Sequence, residues 1–156
     1  MNDNSKTLQR PFSLYLLVFL MASQAVGAIG GGLALVIRPS GTLMQMPLSM
    51  LEHSPFPNFL IPGLFLLIIL GLLPAYECYA LLKKPACRFC TRLNPEKEVH
   101  WAWSLSFFIG IVLILWIDLE VMFLRSVALL HLIYALLGVA IVVVTVWPST
   151  RRYFKQ

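Results

Sequence analysis

Charged residues are scarce in this sequence, and long stretches contain almost none. The 156 residues include 12 Lys and Arg and 7 Asp and Glu, whereas 59% are hydrophobic. A bilayer core of about 30 Å needs roughly 20 apolar residues in a helix, which satisfies its own backbone hydrogen bonds. Four such spans are predicted, at residues 12–37, 59–82, 101–124 and 127–147. We therefore expect an all-α integral membrane protein, with residues 1–156 forming one four-helix bundle.

Catalytic and nucleotide-binding motifs are also lacking. No GxSxG, Walker-type or GxGxxG motif occurs, and Gly30-Gly31-Gly32 lies inside the first span with no strand before it. No HxxxH, HExxH or ExxH pair occurs either. These absences exclude the enzyme classes built on those motifs, so we expect a non-enzymatic protein. No cofactor is predicted, apart from bound lipid.

Cysteine is rare, and only Cys87 and Cys90 form a CxxC pair. A structural zinc site needs four ligands. With His100 the pair supplies three, which makes these residues a weak metal candidate. A redox pair is a second interpretation. Because residues 83–100 form the basic loop that we expect in the reducing cytosol, two ordinary loop thiols are the favoured interpretation.

Basic residues are distributed unevenly between the two sides of the predicted bundle. Short loops rich in Lys and Arg remain cytoplasmic. Only Arg38 and Arg125 fall on one side. The other side carries Lys6, Arg10, Lys83, Lys84, Arg88, Arg92, Lys97, Arg151, Arg152 and Lys155. We therefore expect both termini in the cytoplasm, and the net charge of +5 reflects this topology and not nucleic-acid binding.

The outer loop at residues 38–58 is too apolar for a solvated connection. It is bounded by Arg38-Pro39-Ser40-Gly41 and Ser54-Pro55-Phe56-Pro57, and it is rich in Met and Leu between these turns. We expect this flap to lie along the membrane interface or to fold back over the mouth of the bundle. A Met-rich flap could gate a hydrophobic ligand, whereas an interfacial anchor is the favoured interpretation.

Small residues recur along the first span at helical spacing. Ser23, Gly27 and Gly31 follow one another at intervals of four, and Ala28 and Gly32 form a second pair. Such residues allow helices in lipid to approach closely. The ridge predicts packing inside the bundle or docking of a partner chain, with packing the commoner use.

One carboxylate is predicted inside a span. Glu77 lies about 9 Å from the Lys83 end of the second helix, close to a kink expected at Pro74, which frees a carbonyl near Leu70. Intramembrane ionisable groups are candidates for function. Glu77 is therefore a candidate ion or proton site, although an ion pair with Arg10, Lys83 or His100 is the favoured interpretation.

A second group of polar residues is predicted at the outer rim of the bundle. It consists of Glu52, His53, Asp118, Glu120, Arg125 and His131. These residue types can bind a metal or act as acid and base. Since Asp118 and Glu120 point about 200° apart on a helix, they cannot both face one site, and an ion-paired rim around Arg125 is favoured.

Several short motifs resemble those of a group of small, uncharacterised bacterial four-helix inner-membrane proteins. They are Arg38-Pro39-Ser40-Gly41, Ser54-Pro55-Phe56, Ile61-Pro62-Gly63-Leu64, Gly71, His100-Trp101-Ala102-Trp103 and Trp116-Ile117. The resemblance covers most of the chain outside the basic loop. It implies a four-helix architecture in a bacterial inner (plasma) membrane and no particular chemistry.

Three functions are compatible with these features. The favoured hypothesis is an accessory or assembly subunit of a larger membrane complex, or a homo-oligomer, contacting lipid and partner through Gly27, Gly31 and the flap. The alternative is a small oligomeric transporter or ion pathway that uses Glu77 beside Pro74. The third is a membrane enzyme acting on lipid or quinone at the outer rim.

Overall fold

The computed structural model describes residues 10–156, and all regular elements in that range are helical. Lys6, one of the predicted topogenic residues, lies outside the described residues. Four helices are long and apolar enough to cross a membrane, at Phe12–Ile37, Leu60–Lys83, Trp101–Leu124 and Leu129–Val146. These spans confirm the predicted all-α architecture and fit an integral membrane protein.

The second span is divided by a π-helical turn; two short α-helices and, in the loop after the first span, two 3-10 turns (Thr42–Met44 and Leu48–Leu51) lie outside the spans. The elements are α1 (Phe12–Ile37), α2 (Leu60–Leu67), the π turn (Ile68–Leu72), α3 (Leu73–Lys83), α4 (Arg88–Leu93), α5 (Trp101–Leu124), α6 (Leu129–Val146) and α7 (Pro148–Phe154). Consecutive spans are neighbours in the bundle, because α1 packs against the second span and α6, and α5 packs against α3 and α6. The C-terminal half of the second span, α3, therefore joins α1 to α5.

Glycines allow the close approach of these helices. A Cβ on Gly32 would lie 2.6 Å from the backbone nitrogen of Leu67, so α1 and α2 cross almost backbone to backbone. At the α5–α6 crossing, a Cβ on Gly110 would lie 3.1 Å from the carbonyl oxygen of Gly138. Because lipid supplies no hydrophobic drive between helices, such contacts contribute much of the packing energy.

Pro74 explains the π turn. Proline has no backbone N–H and its ring crowds the carbonyl four residues earlier, which is that of Leu70. The helix accommodates this with a wider turn in which the Leu73 N–H bonds to the carbonyl of Ile68. The Leu70 carbonyl instead accepts a hydrogen bond of 3.2 Å from Nε2 of Gln24 on α1. The carbonyl predicted to be freed by Pro74 is thus paired across the bundle.

The flap, residues 38–58, folds back over one end of the bundle, which we name the flap end. Gly41 begins the fold with a φ of 78°, and a Cβ at this position would overlap the carbonyl oxygen of Met46. Leu51 and Phe59 pack with Leu35 in a small buried cluster. The flap therefore covers the helix ends.

The opposite end, named the termini end, is closed by the C-terminal residues. The Phe154 side chain is fully buried, and its carbonyl accepts the His100 N–H at 2.8 Å. Lys84 donates to the Tyr153 carbonyl and lies 3.6 Å from the centre of the Tyr153 ring. Burial lowers the pKa of both Lys84 and His100. These contacts fix α7 against the loops between the spans.

Candidate ligand-binding cavity

A cavity of about 200 Å³ lies within the bundle beneath the flap. All four spans and the flap contribute to its wall. It is lined by Gln24, Gly27, Ala28, Gly31, Met44, Met46, Leu66, Leu113, Trp116, Ile117, Glu120, Leu124, Leu130, His131 and Tyr134. Met44 and Leu130 are 41% and 61% exposed, so the cavity reaches the surface between the flap and the start of α6.

Small residues of α1 create the space on one side. Gly31 has only Leu66 and Met44 near the position of a Cβ, at 3.3 and 3.9 Å. A Cβ on Gly27 would overlap the hydroxyl of Tyr134, which comes from α6. The predicted ridge therefore serves the interior of the bundle at Gly27, Ala28 and Gly31.

The remaining members of the ridge have other surroundings. Gly32 packs on the backbone of Leu67, as described above. Ser23 is exposed, and its hydroxyl donates to the Phe19 carbonyl of its own helix at 2.9 Å. The five residues thus share a helix but not a single surface.

Two polar atoms in the cavity wall have no hydrogen-bond partner within residues 10–156. Gln24 is fully buried, and its Nε2 is engaged with Leu70 while its Oε1 is unpaired. The indole Nε1 of Trp116 also lacks a hydrogen bond of ordinary geometry, although it lies beside the carboxyl group of Glu120. The Trp116 ring is held by stacking on Phe65, with ring centres 4.3 Å apart. Both residues belong to the cavity wall, and both of these polar atoms are buried.

Glu120 and His131 face each other across α5 and α6 in the cavity wall. Oε2 of Glu120 lies 4.0 Å from Nε2 of His131. The other ring nitrogen of His131, Nδ1, accepts the Ala128 N–H at 3.0 Å. In a neutral ring this bond assigns the proton to Nε2, which faces the carboxyl group. The donor of His131 thus faces the acceptor of Glu120 in the cavity wall.

The rest of the predicted outer rim does not assemble around this pair. Glu52, His53, Asp118 and Arg125 are exposed. Arg125 ends α5 with a φ of 48° and forms no ion pair with a described carboxylate. Of the six rim residues only Glu120 and His131 come together, so an ion-paired rim around Arg125 is wrong for the described residues.

Glu77 lies in the core between α3 and α5 and has no cationic partner among residues 10–156. Its side chain is fully buried, and Oε1 accepts a hydrogen bond of 2.9 Å from the Ser106 hydroxyl. Oε2 has no partner in the described part of the chain. Arg10 bonds to the Leu82 carbonyl, and the His100 ring nitrogen caps α5 at Ala102. The predicted ion pair with Arg10, Lys83 or His100 is therefore wrong.

Cys87 and Cys90 are joined by a disulfide at the start of α4 in this structure, whereas two separate loop thiols were expected. Cys78, in α3, is a free thiol. His100 is occupied in capping α5. Among the described residues no three His, Cys, Asp or Glu side chains come together as a metal site.

Gln24, Ser106, Trp116 and Tyr134 were missed by sequence reasoning. Gln24 carries a signal that could have found it, because it lies at the middle of a 26-residue apolar helix. A polar side chain at that depth needs a partner, and the carbonyl freed by Pro74 provides one. Comparisons of the chain with protein-family models, curated proteins and solved structures found no match, so the cavity is interpreted from its own chemistry.

Proposed function

We propose that this protein binds a neutral amphiphile of the membrane, with a hydroxyl-bearing head group, in the cavity beneath the flap. The observation that carries the proposal is the unpaired Oε1 of the fully buried Gln24 in the cavity wall. A buried polar group without a partner costs roughly 1–3 kcal/mol. A ligand that hydrogen-bonds to this oxygen removes the cost.

The two unpaired atoms indicate the chemistry of the head group. Gln24 Oε1 requires a donor, and the Trp116 Nε1–H, which lies beside the Glu120 carboxyl group, can donate to a further acceptor. A hydroxyl group serves as both. The ionisable groups of the wall, Glu120 and His131, already face each other. They leave no surplus cation for an anionic head group, which favours a neutral one.

The volume limits how much of the ligand lies inside. A cavity of about 150 Å³ accommodates benzene, and pockets for drug-sized molecules begin at roughly 300 Å³. The 200 Å³ beneath the flap therefore suits a single ring or a small head group. The hydrocarbon tail would leave past Met44 and Leu130 into the membrane.

The proposed orientation places the flap end outside and both termini in the cytoplasm of a bacterial inner membrane. Its support is the charge distribution, with ten of the twelve basic residues on the side of the termini. In this orientation the cavity opens toward the outer leaflet. The ligand would enter from that leaflet, beneath a flap whose Met side chains adapt to irregular partners.

Native mass spectrometry of the full-length protein, released from its own membrane in mild detergent, tests the proposal. Gly31→Leu fills the cavity, whereas Gly30→Leu is a matched control because a Cβ at Gly30 meets no atom within 4 Å. We expect the wild type and Gly30→Leu to retain a small molecule in a one-to-one ratio, and Gly31→Leu to lose it.

A second variant keeps the test informative if Gly31→Leu misfolds. Trp116→Phe keeps an aromatic ring against Phe65 but removes the Nε1–H, so it should fold and retain less ligand. The proposal fails if the wild type carries no bound molecule, or if both cavity variants retain the same molecule as the control.

An accessory subunit of a larger complex and a Glu77-dependent transporter stay as separate predictions from the sequence. The first depended on Gly27 and Gly31 as a docking ridge, and both residues line the cavity. The second depends on Glu77, whose described polar partner is Ser106. Ligand binding takes precedence because Gln24, whose Oε1 has no described partner, and Trp116 both line a cavity of about 200 Å³.

A further inference from the structure

A shallow concavity of about 430 Å³ lies at the termini end, directly below the fourth span. It is lined by Glu98, Val146, Pro148, Arg151, Arg152 and Lys155. Three of these residues are cationic and one is anionic, so the surface has an excess of positive charge. It is separate from the cavity beneath the flap.

The backbone holds these cations in place. α7 begins immediately after the fourth span, and the Arg151 N–H bonds to the Trp147 carbonyl at 3.0 Å. Nε of Arg152 donates to the Pro148 carbonyl at 3.2 Å, which orients its guanidinium group. Lys155 is paired with Val99 in an isolated β-bridge. The three side chains therefore project from a fixed segment.

Most of this positive charge has no counter-charge in the described part of the chain. Arg151 lies 3.4 Å from Glu96, in an exposed ion pair of little energetic value. Within residues 10–156, neither Arg152 nor Lys155 has a carboxylate within ion-pair distance. An anion that enters the concavity would meet two cations without an ion-pair partner and, in the same wall, the carboxylate of Glu98.

An apolar stripe leads along α6 to this concavity. Its members are Leu129, Leu132, Leu136, Val139, Val143 and Val146, all of them exposed. They recur every three or four residues, so they lie on one face of the helix. In a membrane this face contacts acyl chains, and its last residue, Val146, forms part of the wall of the concavity. Trp147, half-exposed beside it, suits the depth of the head groups.

We propose that the concavity binds the phosphate of an anionic phospholipid whose acyl chains lie on the α6 stripe. Arg152 and Lys155 contact the phosphate, and Arg151 contributes when released from Glu96. Arg recognises phosphate through paired N–H donors, and Lys acts as a point charge. A phospholipid is favoured over a soluble phosphate compound because the apolar stripe continues directly into the concavity.

Lipid titration of the purified full-length protein, followed by native mass spectrometry, tests this site. Wild type, Arg152→Gln/Lys155→Gln and Arg88→Gln/Arg92→Gln are compared with phosphatidylglycerol, phosphatidylcholine and inorganic phosphate. The Arg88/Arg92 variant is the matched control, because it removes two exposed charges from α4 at the same end of the bundle. Arg152→Lys keeps the charge and should retain binding.

We expect the wild type and the control to bind phosphatidylglycerol in preference to phosphatidylcholine. The Arg152/Lys155 variant should bind it about 10- to 30-fold more weakly, which is the loss of affinity expected when two interfacial cations are removed. Equal weakening in both double variants would show diffuse attraction and overturn the proposal. Displacement of phosphatidylglycerol by inorganic phosphate at a similar concentration would also overturn it, since the acyl chains would then contribute nothing. Neither outcome depends on the ligand beneath the flap.

Discussion

Gly27 and Tyr134 show how a single residue shapes the cavity. The hydroxyl of Tyr134 occupies the position where a side chain at Gly27 would begin, and the ring carbon bearing that hydroxyl lies 3.2 Å from the same point. At this point the cavity wall is therefore formed by a glycine on one helix and a phenol on another. A larger residue at position 27 therefore requires the Tyr134 side chain to move.

We predict that Gly27→Ala destabilises the protein by about 1–3 kcal/mol, the usual cost of overpacking. Tyr134→Phe removes the overlapping atom, so the double variant Gly27→Ala/Tyr134→Phe should recover most of the loss. The free energies of unfolding in mixed micelles give the double-mutant cycle. Gly30→Ala, on the open face of α1, serves as control and should be close to neutral. Additive effects of the two substitutions would contradict the contact.

The residues of α1 that face the bundle interior were easier to predict from the sequence than the residues that they contact. Helical spacing predicts that Gly27 and Gly31 share a face, and the structure places both in the cavity wall. Their neighbours could not be predicted, because Tyr134 is distant in sequence and carries no pattern of its own. The same limit applies to Glu77, for which the sequence suggests nearby cations and the structure supplies Ser106.

At the scale of elements, the second span extends from the cavity beneath the flap to the buried carboxyl group of Glu77. Pro74 and the π turn lie near its middle, between the cavity end and the Glu77 end. The hydrogen bond from Gln24 to Leu70 joins α1 to this turn. Interhelical hydrogen bonds of this kind contribute about 0.6–1.7 kcal/mol in membrane proteins.

We predict that Gln24→Leu destabilises the wild type by about 1–2 kcal/mol, because the Leu70 carbonyl is left without a donor. In a Pro74→Ala background the same substitution should cost markedly less, since alanine, unlike proline, supplies a backbone N–H to that carbonyl. The measurement is again a double-mutant cycle of unfolding free energies. An equal cost of Gln24→Leu in both backgrounds would show that the Leu70 carbonyl is not what Gln24 stabilises.

The four spans were predicted within about two residues because length and apolarity alone define them. The short helices outside the spans were not predicted. α4 and α7 are short and polar, and they are held by tertiary contacts such as those of Phe154 and Lys84. Propensity over six or seven residues is a weak guide when such contacts decide the structure.

At the scale of the whole molecule, two features favour opposite orientations. The excess of basic residues favours a cytoplasmic termini end. The Cys87–Cys90 disulfide lies at this same end, and disulfides persist in oxidising compartments. We give precedence to the charges, because ten residues contribute to that asymmetry and one cysteine pair opposes it.

The proposed orientation predicts that the disulfide is reduced to two thiols in living cells. Rapid acid quenching followed by alkylation and mass spectrometry should find Cys87 and Cys90 as thiols, and a C-terminal fluorescent-protein fusion should report the cytoplasm. Oxidation by air after lysis should close the pair and provides the control. A disulfide in the quenched sample, together with a C-terminus accessible from outside, would reverse the proposed orientation.

The π turn also sets the angular register of the second span. An α-helix advances about 100° per residue, so twelve residues would place Phe65 and Glu77 about 120° apart. A π turn absorbs roughly one residue, which reduces this angle to about 20°. Phe65 can then stack on Trp116 while Glu77 bonds to Ser106, and both partners belong to α5. Deleting one residue between 68 and 72 should therefore leave a regular α-helix in which Phe65 and Glu77 keep this angle, so that both contacts with α5 survive, whereas a deletion elsewhere between Phe65 and Glu77 should break one of them.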